Sequence, residues 1–427
     1  MTYQEFLQSK TRVFHGLGDR PVTLPSALFD WQAAITRWAL KKGRAAIWAD
    51  CGLGKTIMQA AWAEATGERT IIMAPLCVAE QTIADAKLLA GIRITYAHDQ
   101  AEADRHTDAR IIITNYERLE KFDPSAFGAV VLDESSILKA MDGKTRTKLI
   151  EVFQRTPYRL CCTATPSPND IAELANHAEF LGHGTRAEFL ATWFVHDDEG
   201  WRMKRHAVAP FHKWLASWAV ALRSPADLGY DATGYDLPPL RIHEDVIPSD
   251  GPMDGVLFAD MALAGIGGRL KARRASLEDR VATTMTRTAG PGQWIVWCGL
   301  NDESTAIAKA WGSDAVNVQG SDSHAEKVGA VEAFIRGDVR VLVSKMRILG
   351  FGMNFQHCHQ MVFCGMSDSY EQYYQGLRRC WRYGQQHPVD AYIVVSERER
   401  GIVENVQRKE AHAGQLTDEL LKHLAVF

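Results

Sequence analysis

The chain has 427 residues, 46% of them hydrophobic and 23% charged, with a formal net charge of −4. That length exceeds one small core and suits two or three domains of ordinary globular composition. The charge excludes a global basic field, so any nucleic-acid surface has to come from local clusters. No apolar run approaches the ~18 residues of a membrane span, and Met1 to Lys10 lacks the apolar core of a signal peptide, so a cytoplasmic location is expected.

The first predicted elements follow one another in an α/β rhythm over residues 28 to 180. Ala45 to Ala49 is a short apolar run that ends at a glycine-rich loop, Ala49-Asp50-Cys51-Gly52-Leu53-Gly54-Lys55-Thr56. Thr56 to Ala65 then predicts a helix, with Gly67 as its stop. Further short apolar runs lie at Thr70 to Ala74, Arg110 to Thr114 and Ala129 to Leu132. Runs of this length between helices predict a parallel sheet buried on both faces.

The loop after the first strand has the chemistry of a phosphate site. Backbone N–H groups at Gly52 and Gly54 can close around phosphate oxygens at a helix N-terminus. Lys55 is placed to reach the β- and γ-phosphates of ATP, and Thr56 to hold Mg²⁺ through its hydroxyl. Val130-Val131-Leu132-Asp133-Glu134 is the complement. Asp133 is expected to join Thr56 at the metal, and Glu134 to act as general base toward the attacking water. Thr163-Ala164-Thr165-Pro166 puts two hydroxyls at the end of a further strand. Gln32, after Phe29-Asp30-Trp31, carries an amide able to pair with the edge of adenine.

The rhythm changes after about residue 185. Phe189 to Trp218 is rich in Trp, Phe and His, and Phe194 to Met203 predicts a hairpin around Asp197-Asp198-Glu199-Gly200. Leu237-Pro238-Pro239-Leu240 marks a boundary. Residues 253 to 288 predict helix and carry a basic stretch of Arg269, Lys271, Arg273 and Arg274. Strands are then expected at Trp294 to Cys298, Val339 to Ser344, Gln360 to Phe363 and Val389 to Val395, a second α/β lobe. The expected domains are 1–185, an ATP-binding lobe; 186–240, a linking segment; and 241–427, a C-terminal lobe.

In the second lobe, Gly350-Phe351-Gly352-Met353-Asn354 offers small residues for close backbone approach to nucleotide or phosphate. Gln375-Gly376-Leu377-Arg378-Arg379-Cys380-Trp381-Arg382-Tyr383-Gly384-Gln385 places Gln375, Arg379 and Arg382 at helical spacing on one face. A guanidinium presented there can stabilise charge on a γ-phosphate in the transition state. The eight cysteines show no Cys-x-x-Cys pair and are expected to be reduced core residues. His357-Cys358-His359 has ligand chemistry but stands alone.

Taken in order, these motifs resemble those of the superfamily-two DEAD/DEAH-type helicases, most closely the Swi/Snf branch of DNA translocases. Gln32 is similar to the adenine-reading Gln of that family. Residues 49–56 match its phosphate loop, Ala74-Pro75 the start of the next motif, and Thr114-Asn115-Tyr116-Glu117 the one after. Asp133 to Lys139 and Thr163 to Pro166 follow in place. Gly350 to Asn354, and then Gln375 to Gln385 in the form Gln-x-x-x-Arg-x-x-Arg-x-Gly-Gln, complete the series. The likeness covers about residues 28–185 and 290–410, and its compactness resembles phage or prophage members. Ser136 departs from it, standing where the family has His or Asp to couple the nucleotide site to the next motif.

The resemblance implies two RecA-like parallel-sheet lobes in tandem and a monomeric enzyme, with ATP and Mg²⁺ held between the lobes. It makes Lys55, Glu134, Arg379 and Arg382 catalytic. Gln32, Gly52, Gly54, Lys55, Thr56, Asp133, Gly352 and Gln375 would bind nucleotide. Duplex DNA, without sequence preference, is the implied partner, and Pro75, Thr114, Arg202, Lys204, Arg273 and Arg274 are candidate contacts. Two rivals stand beside a translocase. One is a strand-separating helicase with the Trp201 hairpin as wedge. The other is a nucleotide-switched DNA-binding adaptor of weak turnover.

Overall fold

A computed structural model describes residues 16–423 apart from 76–77, 140–142, 198–199, 249–272 and 350–353. Its residues form two compact units. One takes in the chain up to Ala232 together with the stretch from His412, and the other spans Thr233–Ala411.

The first unit is built on a seven-stranded parallel sheet. Its strands are β1 (Arg44–Ala49), β2 (Thr70–Ala74), β3 (Ile94–Tyr96), β4 (Ile111–Asn115), β5 (Ala129–Asp133), β6 (Tyr158–Cys162) and β9 (Ala219–Leu222), in the order β3-β4-β2-β5-β6-β1-β9. The core strands β2, β4 and β5 are buried at every position. This is why they read as continuous apolar runs rather than alternating ones. The helix after β1 runs from Lys55 to Thr66 and stops at Gly67, whose φ of 74° only glycine adopts without strain.

Residues 186–240 do more than link. β7 (Phe194–Asp197) and β8 (Gly200–Met203) form the expected antiparallel hairpin. β9 lies parallel to β1 with Ala46 opposite Ala219. The aromatic residues between them enter the core of the first unit. Phe211 meets Phe189 at 5.8 Å and Trp193 at 5.7 Å, and Trp218 meets Trp48 at 5.8 Å. The strand–helix rhythm is lost here because rings from several short elements, among them Phe189, Trp193, Phe211 and Trp218, meet in one cluster.

The second unit carries a six-stranded parallel sheet. Its strands are β10 (Leu240–Ile247), β11 (Trp294–Cys298), β12 (Ala315–Val318), β13 (Val341–Lys345), β14 (Gln360–Cys364) and β15 (Val389–Ser396), in the order β10-β15-β14-β11-β13-β12. Two α/β units with parallel sheets are thus what the sequence pattern led one to expect. Of the predicted helix over 253–288, Leu277–Thr288 is present and residues 253–272 lie outside the described residues.

At the carboxyl ends of β11, β14 and β15 lies a buried ionic cluster. Arg280 pairs with Glu303, and its Nε lies 3.7 Å from Glu399. Arg273 reaches Glu399 at 3.4 Å and Glu303 at 3.5 Å. Glu303 also accepts the N–H groups of Gly299 and Leu300, each at 2.8 Å, and Glu399 accepts the Ser396 N–H at 3.1 Å. Arg280 and Glu303 are wholly buried, so each depends on the other for its missing solvation. Arg280→Met, which leaves two buried carboxylates to Arg273 alone, should cost about 3–5 kcal/mol in chemical unfolding. Arg287→Met, which breaks the exposed pair with Asp245, should cost about 1 kcal/mol or less.

Candidate active site

Three strand ends of the first unit meet at one edge of its sheet. β6 lies between β5 and β1, so the segments leaving all three begin side by side. Such carboxyl ends are where open α/β sheets take their ligands.

The loop after β1 turns on Gly52 (φ 87°) and Gly54 (φ 73°) and delivers Lys55 and Thr56 to the start of the helix. Lys55 Nζ donates to the carbonyls of Ala49 at 2.8 Å and Asp50 at 3.2 Å, so the ammonium sits inside its own loop. Gln32 braces that loop. Its Nε2 donates to Leu53 O at 3.2 Å, and its Oε1 accepts the Phe29 N–H at 3.1 Å. A Cβ at position 54 would stand 2.5 Å from that amide nitrogen, a second reason for glycine there. The amide expected to face adenine is therefore engaged with the phosphate loop.

β5 delivers Asp133 and Glu134. The Asp133 carboxyl is buried and its pKa is pushed up to about 7, first by lost solvation and then by the neighbouring Glu134 charge. Lys55 opposes the rise. So does Gln59, one turn along the helix from Lys55, although neither of its amide atoms reaches hydrogen-bond geometry. A buried carboxylate at this strand end and a hydroxyl at Thr56 in the first turn of the helix would offer the oxygen donors that Mg²⁺ prefers.

β6 supplies the link. Thr163 Oγ1 donates to Glu134 Oε2 at 3.1 Å and accepts the Thr165 N–H at 3.1 Å. Ser136 turns back on its own segment, with Oγ 3.5 Å from Glu134 O. Ser135 bonds to His177 at 3.1 Å, and that imidazole is wholly buried against Trp48. Burial pushes the His177 pKa down to about 3. His177, Gln59 and Tyr116 escaped sequence reasoning. Gln59 gave one signal, a polar residue on the apolar face of a helix; His177 gave none.

The residues expected at the phosphates from the second lobe lie in the second unit. The helix Tyr370–Leu377 ends two residues before Arg379, so Arg379 and Arg382 stand on a turn and not on a helix face. Gly376 and the turn residues that follow close short backbone bonds in place of a further helical turn. Arg379 Nε donates to Gln375 O at 3.0 Å, and Arg382 pairs with the side chain of Asn354. Gln385 pins the turn. Its amide donates to Cys358 O at 2.9 Å and Cys380 O at 3.2 Å and accepts the N–H groups of Gln386 and His387. Gln375 is buried. Gly352 lies outside the described residues.

The candidate DNA contacts divide. Pro75 is half-buried just after β2 and Arg274 is exposed. Arg202 is exposed and paired with Asp197 across the hairpin at 3.2 Å. Thr114 is wholly buried within β4. Lys204 caps the helix Arg186–Trp193 by donating to Ala191 O at 2.6 Å and Thr192 O at 3.2 Å. Arg273 belongs to the buried ionic cluster. Trp201 packs on the core of the first unit and edge-on to His196 at 4.9 Å, which is not the posture of a free wedge.

Two family models match the chain: DEAD/DEAH box helicase over residues 29–174, and helicase conserved C-terminal domain over residues 277–384. Protein p41 of Acyrthosiphon pisum secondary endosymbiont phage 1 is 28% identical over 193 residues, 38% of this chain and 42% of that protein. The chain thus spans less than half the length of this curated relative. A solved structure of the Sulfolobus solfataricus SWI2/SNF2 ATPase core in complex with dsDNA is 16% identical, covers 96% of this chain and 99% of its own, and superposes with a TM-score of 0.45.

The buried imidazole makes the first unit sensitive to acid. His177 is neutral in the folded protein, with its pKa depressed from 6.5 to about 3. Its contribution is therefore present above the unfolded value and lost as pH falls toward the folded one. Between pH 6.5 and about pH 4 the parent should lose about 3 kcal/mol more than His177→Phe, measured by urea unfolding across that range. Parallel pH profiles for the two proteins would show that the imidazole is not the group responsible.

Proposed function

Because the chain belongs to the superfamily-two helicases of the DEAD/DEAH type, we propose that it is a DNA-dependent ATPase of Swi/Snf-like kind, binding ATP with Mg²⁺ and coupling hydrolysis to movement along duplex DNA. The observation that carries this is the meeting of Lys55, Asp133, Glu134 and Thr163 at three adjacent strand ends, with Thr163 bonded to Glu134.

In this reading the first unit holds the nucleotide. The amide N–H groups of the loop at Gly52 and Gly54 donate to the phosphates, and Lys55 exchanges its two carbonyl partners for phosphate oxygens. Thr56 and Asp133 would hold Mg²⁺, which would supply charge neutralisation at the phosphates. Glu134 takes the proton of the attacking water, with Thr163 fixing the direction of its carboxylate. Arg379 and Arg382 of the second unit stabilise the charge that develops on the transferred phosphate.

The duplex-DNA part rests on the form of Gln375 to Gln385. Pro75, Arg202 and Arg274 remain candidate contacts. Thr114 and Arg273 are buried and Lys204 is engaged with the end of the helix Arg186–Trp193, so these three are better explained by structure. Likeness to a phage protein agrees with a phage or prophage setting in a bacterial cytoplasm. Among the described residues no helix is long and apolar enough to cross a membrane.

Multiple-turnover ATP hydrolysis, measured with and without duplex DNA, tests the chemistry. Glu134→Gln should bind ATP and lose turnover, because an amide cannot take the water's proton; a general base is typically worth 10²–10⁴ in rate. Lys55→Ala should weaken binding as well. Arg382→Ala should lower kcat by about 10³ or less with little change in nucleotide affinity. Wild-type turnover by Glu134→Gln would remove Glu134 from its role.

Movement is tested separately. Tracking needs phosphate contacts and no base readout, so binding should weaken as salt rises and show little sequence preference. ATP should drive displacement of a third strand from a triplex and leave a forked duplex mostly paired, with Lys55→Ala as the inactive control. Fork unwinding without triplex displacement would instead identify a strand-separating helicase.

A further inference from the structure

Glu134 has a φ of 54°, and among the described residues it is the one with positive φ that is not glycine. A left-handed backbone is unfavourable for any residue with a Cβ, and it persists only where the surroundings enforce it. Here both flanking peptide planes are held. On one side the Tyr116 hydroxyl donates to Asp133 O at 2.7 Å. That carbonyl belongs to the peptide whose N–H begins Glu134, so holding it leaves rotation about the Glu134 N–Cα bond as the remaining freedom, and this rotation is φ. On the other side Glu134 O accepts the Ile137 N–H at 3.1 Å. Caught between two fixed planes, Glu134 turns left-handed, and its carboxylate ends against Thr163 Oγ1.

Tyr116 is built for this task. It opens the short helical turn Tyr116–Lys121 after β4 and reaches past β2 to the end of β5. Its ring is buried, and its phenol is a hydrogen-bond donor whose partner is the Asp133 carbonyl.

We propose that Tyr116 is a positioning residue for the general base: its hydroxyl clamps the Asp133 carbonyl and thereby holds Glu134 in the left-handed turn that aims its carboxylate. This rests on Glu134 being the general base, as proposed above. The role goes beyond packing, because the hydroxyl and not the ring carries it.

Two measurements on the full chain decide it. In the first, Tyr116→Phe keeps the ring and loses the clamp. Its kcat should fall by about tenfold, the factor that roughly 1.4 kcal/mol represents, at an unchanged KM for ATP. An unchanged kcat overturns the proposal, and so does an equal loss in kcat and affinity. The second does not need turnover. Glu134→Gly and Glu134→Ala both lose the carboxylate, but only glycine relieves the strain. Glu134→Gly should melt about 2–4 °C above Glu134→Ala, and that gap should close in a Tyr116→Phe background. An equal gap in both backgrounds, zero included, overturns the clamp. A wild-type protein without ATPase activity would sink the functional reading, while the melting comparison would still judge the clamp.

Discussion

Asp133 and Glu134 are neighbours whose like charges repel at the end of a strand, the first buried and the second half-buried. Much of the first unit can be understood as an answer to that repulsion. The Asp133 carboxyl is driven up to about 7 because burial and Glu134 act in the same sense. Lys55 lowers it from one side and Gln59 from another. Glu134 escapes by turning its backbone left-handed and giving its carboxylate to Thr163. A site in this condition attracts positive charge, which is how a protein can make a magnesium nucleotide more welcome than the nucleotide alone.

Legibility in the sequence followed physics residue by residue. β1, β2, β5 and β11 could be read because a strand buried on both faces has to be apolar throughout, and the loop at Gly52 to Thr56 because few turns other than phosphate loops require that composition. β9 and the helix around Phe211 could not be read, because elements of four and eight residues are too short for a period to stand out. Arg379 and Arg382 were legible as a pair but not as a turn, since helical spacing alone does not say where a helix stops. Tyr116 stood inside a stretch resembling a family motif, but its partner is a backbone carbonyl, and a carbonyl leaves no trace in sequence. The same blindness covers Gln32, whose amide braces Leu53.

Basic residues illustrate the difference between charge and available charge. Arg273 and Lys204 read as parts of a positive surface, yet the first is sunk among glutamates and the second closes a helix end. A desolvated ion pair resists rearrangement, because separating its members leaves each in a medium that cannot solvate it. The cluster around Glu303 and Glu399 ties together the ends of three strands in the second unit. The stretch Gln375 to Gln385 follows one of those strands, β14, and its turn is held in addition by Gln385.

The helix Arg400–His423 begins in the second unit, where Ile402, Val403 and Val406 are buried, and its residues from His412 count with the first. There Leu416 and Leu420 enter the aromatic core, and Asp418 pairs with Arg223. Burying two leucines contributes roughly 1.5–3 kcal/mol each, a large share of a domain's net stability. During synthesis on the ribosome the first unit emerges long before these residues do. It therefore waits, short of two core side chains, while the whole of the second unit is translated, and its core closes only after the second unit's chain has left the exit tunnel. Order of synthesis and order of completion run in opposite directions in this chain.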